Sequence, residues 1–285
     1  MNTNVNFTTQ YMVLQIKKIL LYTFLLVVGV TVIYPLLWTV FGSIRDEKLF
    51  ALNPWGLPEQ IDLRVYWEVL TEYGLARNML NSLIMSSVGV VVIIFLSLTS
   101  SYALARMKWK LAPLVMAFFI SGITIPVHST LIPLYVILRP LSKIDERLAL
   151  MLPYIVFGLP TAIFIMTNYM KSISLSLEEA AVMEGCSLAK SFALIIVPMT
   201  TPAIATVAIF SFMGIWNELM FALVFLQRKS VMTLPLGILR FTGLYTTQWQ
   251  PTLAAIVLAM IPSLILYSIL QEKIIGGMTA GSIKG

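Results

Sequence analysis

The sequence is poor in the residues that build most chemical centres. Among 285 residues there is one cysteine, Cys186, and one histidine, His128. A lone cysteine excludes an internal disulfide and a cysteine-built metal site. A lone histidine argues against a histidine-rich metal centre. Charge is scarce as well: 11% of residues are Asp, Glu, Lys or Arg, against roughly 25% in an ordinary soluble domain. No Gly-x4-Gly-Lys-Ser/Thr phosphate loop is present. Gly276 and Gly281 have its spacing, but Ser282-Ile283 follows where Lys-Ser/Thr is required. Paired catalytic acids and a Gly-x-Ser-x-Gly nucleophile motif are missing too. The expectation is therefore a non-enzyme with no metal and no cofactor of its own.

What the chain has in abundance is apolar surface. Hydrophobic residues make up 59% and the mean hydropathy is +0.90. Disordered chains show the opposite balance, and a soluble domain cannot cover so much apolar surface with so few charges. A bilayer span needs about 20 mostly apolar residues. Six windows free of Lys, Arg, Asp and Glu meet that length: Ile19–Ile44, Asn78–Ala105, Leu111–Leu138, Leu148–Met170, Ser191–Asn217 and Phe241–Gln271. The corresponding spans are placed at about 19–43, 78–105, 111–137, 148–170, 200–226 and 251–272, the fifth set past its window so as to take in Glu218. The short alternating segments of a membrane β-barrel do not occur. The fold class is all-α, a polytopic membrane protein with six transmembrane helices in one domain, residues 1–285. The first window follows Lys17 and Lys18 as a signal peptide would, but its core is too long and lacks a cleavage site, so it reads as a retained anchor.

Six spans place both termini on one side. The basic residues divide almost evenly between the two sides, so the positive-inside rule alone does not orient the chain. The Lys17-Lys18 pair and the acid-free cluster Arg106-Met-Lys108-Trp-Lys110 favour the terminal side as cytoplasmic. On the opposite side, the loop from Arg45 to Arg77 holds a turn-rich stretch at 53–58. Val65–Leu70 follows as a short amphipathic helix.

The loop at 171–199 is the most informative segment. Ser176 and Glu179 have capping-box spacing, which predicts a helix over Leu177–Glu184. Gly185 suits the left-handed residue that ends it. Ser187 suits the cap of a second short helix that stops before Pro198. Glu179-Ala180-Ala181-x-x-Glu184-Gly185, with Ile196-x-Pro198, resembles the EAA loop of the inner-membrane permease subunits of bacterial ABC importers. Further stretches resemble the carbohydrate-uptake branch: Asn81-Ser82-Leu83, Ser101-Tyr-Ala-Leu-Ala-Arg106, Leu131-Ile-Pro-Leu-Tyr135, Leu152-Pro-Tyr154, Trp216-Asn217-Glu218 and the ending Gly277-Met-Thr-Ala-Gly-Ser-Ile-Lys-Gly285. That ending is of the second-permease, maltose-importer type; Met278 and Ser282-Ile283 are small departures from it, as is Cys186 in the loop.

The resemblance implies an ABC importer permease fold and a sugar-moving machine. Its other parts would be a second permease subunit, two copies of a cytoplasmic ATPase that binds ATP and magnesium, and an external sugar-binding protein. It implies a bacterial plasma membrane location with cytoplasmic termini. It assigns Glu178, Glu179, Ala180, Ala181, Glu184 and Gly185 to ATPase coupling. Thr279, Ala280, Gly281 and Lys284 of the tail 273–285 become ATPase contacts. Asn217, Glu218 and Tyr154 are candidates for the translocation path or its gate. Glu218 is the one formal charge inside the fifth span, and an intramembrane charge is functional by default. His128, between Pro126 and Pro133, reads as a core histidine bonded to a carbonyl. The rival reading is a self-sufficient secondary transporter, which needs more ionisable groups within its spans than Glu218 and His128 supply.

Overall fold

The computed structural model describes residues 3–142, 146–243 and 247–282, with backbone alone at 3–11, 13, 142 and 274–282. In chain order the helices are α1 (Thr3–Ser43), α2 (Glu47–Leu52), α3 (Arg64–Thr71), α4 (Leu75–Arg106), α5 (Ala112–Ile123), α6 (Leu131–Ser142), α7 (Glu146–Ser172) and α8 (Ser176–Met183). They continue with α9 (Leu188–Ser191), α10 (Val197–Met199), α11 (Thr201–Trp216), α12 (Met220–Phe225), α13 (Leu234–Leu239) and α14 (Trp249–Ser282). Among the described residues there is no strand beyond an isolated bridge between Thr242 and Thr247.

Four helices are long and apolar enough to cross a bilayer: Leu14–Ser43, Leu75–Arg106, Glu146–Ser172 and Trp249–Lys273. Two bent pairs pass the same test of length and composition, and bring the count to six if each is one span. Ala112–Ile123 and Val127–Leu141 meet at 89°, and Leu188–Met199 and Thr201–Trp216 at 70°. The third and fifth spans are thus not the straight rods that the windows 111–137 and 200–226 suggest. Pro126 accounts for the first break: it disfavours helical backbone at Ile125, and a tight 3₁₀ turn, Val127–Thr130, redirects the chain. The fifth span breaks a second time, between Trp216 and Met220. At the chain end the backbone stays helical to Ser282, so residues 273–282 continue α14.

The chain divides into two compact units. The first holds residues up to Val69 together with Phe241–Leu258. Its centre is aromatic. Trp38 donates its indole N–H to the Pro54 carbonyl at 2.9 Å, and its ring lies 5.6 Å from those of Phe50 and Trp55. Phe50 in turn lies 5.9 Å from Trp249. Buried Arg45 gives its guanidinium to three carbonyls, Asn53 and Gly56 through Nη1 and Leu49 through Nη2. Those bonds fold residues 49–56 around one cation. Within α3, Val65 and Val69 are buried and Trp67 is exposed, as the amphipathic pattern predicts.

The second unit holds Leu70–Arg240 and the rest of α14. Here α4, α7 and α11 pack on one another around Ile93, Leu150, Met166 and Val207. Helices in lipid associate through close packing rather than water exclusion, so small residues belong at their contacts. Gly158 shows why: a Cβ there would stand 2.6 Å from Ile93 Cδ1. Outward faces remain apolar, as lipid contact requires; the most apolar 18 residues of α1 have none buried within this chain.

Candidate functional site

The loop between α7 and α10 is built from short capped helices. α8 begins one residue earlier than the capping box predicts. Leu175 occupies the N-cap with helical backbone and makes no side-chain cap, while Ser176 exchanges a hydroxyl bond with Ser174 at 2.8 Å. Glu179 is therefore left free of a capping role. The far end follows the prediction. Gly185 has φ +87°, Gly185 N–H reaches the Val182 carbonyl and Cys186 N–H the Ala181 carbonyl, both at 2.9 Å. This pair of bonds is a Schellman closure. Ser187 Oγ then accepts Lys190 N–H and opens α9. The helix does not stop before Pro198. It widens into a π turn over Phe192–Ile196 and passes through Pro198 to Met199; a π turn is one way a helix absorbs a missing N–H or a local insertion.

The predicted coupling residues separate onto two faces of α8. Glu179, Ala180, Glu184 and Gly185 are exposed, as are Val182 and Met183. Ala181 and Glu178 are buried. Glu178 turns into its own chain: its Oε1 forms an ion pair with Arg106 Nε at 2.8 Å, and its Oε2 accepts the Tyr102 hydroxyl at 3.0 Å. Of the tail residues, Lys284 lies outside the described residues, and Thr279, Ala280 and Gly281 are described by their backbone alone.

A cavity of about 320 Å3 opens among α4, α7, α11, α12 and the turn at 127–130. Tyr154, Glu218, His128, Phe157, Phe210 and Phe221 are among its walls. Glu218 sits at the second break of the fifth span. Its Oε1 accepts Phe221 N–H at 2.7 Å and its Oε2 accepts Ala222 N–H at 3.2 Å, so the carboxylate caps the restarting helix α12. The Tyr154 hydroxyl donates to Oε2 at 2.6 Å. A charge at such depth is tolerable because donors surround it. Asn217 does not line the cavity; its amide donates back to the Met213 carbonyl at 3.0 Å. His128 is not a core residue. It is exposed at the break between α5 and α6, on the cavity wall, with its ring 6.3 Å from that of Phe221. Among the described residues no three His, Cys, Asp or Glu side chains converge as metal ligands would.

Two anchors of this region escaped sequence reasoning. Glu146, buried at the start of α7, accepts the backbone N–H groups of Gln227 and Arg228 and pairs with Arg228 Nε at 2.9 Å. Asn81 donates to the carbonyls of Ser230 and Met232, and Ser82 Oγ accepts Leu234 N–H. Together they pin the segment beyond α12. The Asn81-Ser82 motif is visible in the sequence, but its partners are about 150 residues away and nothing local points to them.

This fold and loop define a class of membrane permease, and the comparisons place the chain within it. Residues 93–279 match the family described as binding-protein-dependent transport system inner membrane component. The chain belongs to that family. It is 31% identical over 255 residues to the sulfoquinovosyl glycerol transport system permease protein SmoH of Agrobacterium fabrum, covering 89% of each chain. It is 29% identical over 274 residues to the trehalose/maltose transport system permease protein MalG of Thermococcus litoralis, covering 95% of this chain and 98% of that one. Its fold resembles that of a solved bacterial ABC transporter involved in the import of the acidic polysaccharide alginate. The TM-score is 0.78 at 23% identity, over 90% of this chain and 96% of the other. The chain is thus a permease subunit of an ABC importer.

Proposed function

We propose that this permease moves a sugar, of oligosaccharide size, inward across a bacterial plasma membrane, and that ATP hydrolysed by partner subunits drives it. The observation that carries the reading is the exposed edge of α8, where Glu179, Ala180, Val182, Met183 and Glu184 face away from the chain's own helices. A slim helix with small residues beside acids fits a groove on another protein. In this reading α8 seats in a cytoplasmic ATPase, which puts both termini in the cytoplasm. The chain pairs with a second permease subunit, binds two ATPase copies across the pair, and receives its sugar from an external binding protein. The names of the relatives support a saccharide cargo.

The mechanism is a shift between two global states. ATP binds better to the closed ATPase pair, and that difference in affinity is what moves the equilibrium. Closing draws the two coupling loops together and opens the spans outward, so the binding protein can release its sugar. The cavity beside Tyr154 and Glu218 lies on the path or forms its gate. Breaks in the third and fifth spans supply exposed backbone where a cavity can satisfy it.

Mild-detergent purification of the tagged chain from native membranes, with mass spectrometry of what is bound, tests the proposal. A second permease, an ATPase and a solute-binding protein are expected. The chain recovered alone, and transporting alone, would return the secondary transporter.

A further inference from the structure

A single turn at the end of α4 meets the coupling loop at three points, beside a buried cluster of Met170, Ile173 and Ile196. Tyr102 and Arg106 are four residues apart, so they share one face of that helix. Between them they touch the limb entering the loop, α8 and the limb leaving it. Arg106 Nη2 donates to the Ile173 carbonyl at 2.9 Å, on the limb entering the loop. Arg106 Nε and the Tyr102 hydroxyl take the two oxygens of Glu178 on α8. The Tyr102 ring lies 4.7 Å from the Phe192 ring, on the limb leaving it. The Arg106 and Glu178 side chains are 5% and 10% exposed.

A buried ion pair is poor evidence for stability, since apolar packing of similar volume often does as well. What it adds is direction. Glu178 meets Arg106 as an ion pair at one oxygen and the Tyr102 hydroxyl as a hydrogen bond at the other, so a displacement of α8 disturbs at least one of the two. Glu178 and Glu179 are neighbours about a quarter-turn apart on α8, one buried against α4 and one exposed. A load applied to the exposed face therefore passes to α4 through two side chains.

We propose that Tyr102 and Arg106 are positioning residues that deliver movement of α8 to α4, with Glu178 as their grip on the loop. The proposal rests on the ABC importer reading, and its test keeps the two apart. The importer, with its co-purifying subunits, is reconstituted in nanodiscs carrying Cys186→Ser and Ser211→Cys. Ser211 lines the cavity, so the labelling rate of the new cysteine by N-ethylmaleimide reports opening. Labelling is followed with and without ATP and vanadate, alongside ATP hydrolysis. In the parent, nucleotide is expected to change the labelling rate at least fivefold. In Glu178→Gln and Tyr102→Phe, the ATPase stays bound and hydrolyses ATP within threefold of the parent, while the nucleotide-dependent change shrinks to less than twofold. Tyr102→Phe removes one hydroxyl and keeps the ring against Phe192, which guards against simple misfolding.

A full nucleotide response in Glu178→Gln would overturn the proposal and leave the importer reading intact. Loss of the ATPase from that variant would overturn it too, because Glu178 would then be a partner contact. A parent that retains no ATPase overturns the importer reading itself.

Discussion

Glu218 carries more of the fold than its place in an apolar span suggests. Its two oxygens accept three donors, two from the backbone of α12 and one from Tyr154. Glutamine keeps the shape but offers one acceptor oxygen, and its NH2 group would face a donor. Hydrogen bonds to a charged group contribute about 1.5–3 kcal/mol each, and a stranded donor costs about as much. Glu218→Gln is therefore expected to cost about 2 kcal/mol and to lower the melting temperature of the detergent-solubilised subunit. Trp216, buried two residues before Glu218, gives a fluorescence signal for that melt. An unchanged melting temperature would remove the capping role. Glu218 was legible as a candidate because it is a lone charge in a span. Its use as a helix cap was not, because the break at 217–219 leaves no mark in the apolar pattern and Tyr154 is 64 residues away.

At the scale of the element, α8 depends on how it ends. Gly185 is one of two described residues with positive φ, and both are glycines. An L side chain in that conformation costs about 1–2 kcal/mol, and the two Schellman bonds at the loop's corner need it. Gly185→Ala is expected to free the amides of Gly185's position and Cys186 to exchange with solvent roughly tenfold faster, since about 1.4 kcal/mol is tenfold in an equilibrium constant. Hydrogen exchange followed by mass spectrometry over 180–190 measures it, and unaltered exchange there would mean that α8 is held from elsewhere. This stop was readable, because glycine alone adopts left-handed backbone without strain. The helix start was not, since Ser174, Leu175 and Ser176 compete for one cap and local spacing does not choose. The six long apolar runs were plain from length and composition. The bends at 124–126 and at Thr200 were not, because prolines in membrane helices are as often tolerated as breaking.

For the molecule as a whole, the decisive question is where the energy enters. Helix α8 presents an acid, Glu179, on a face that its own chain leaves bare, next to small Ala180. Exposed substitutions usually change stability by less than about 0.5 kcal/mol, so reversing this charge should not disturb the subunit. It should disturb a partner that reads an acid there, because like charges set against each other at an interface cost several kcal/mol. Glu179→Lys is expected to leave expression and melting temperature at parental values. The same substitution should reduce the ATPase recovered per permease at least fivefold, with the deficit growing as salt is lowered, since screening by ions weakens repulsion. Quantitative mass spectrometry of the purified complex at two ionic strengths reads both effects. Parental recovery at both would show that the ATPase does not engage this edge of α8, and would move the search for the coupling contact to the other exposed residues of the loop, Met183 and Leu188 among them.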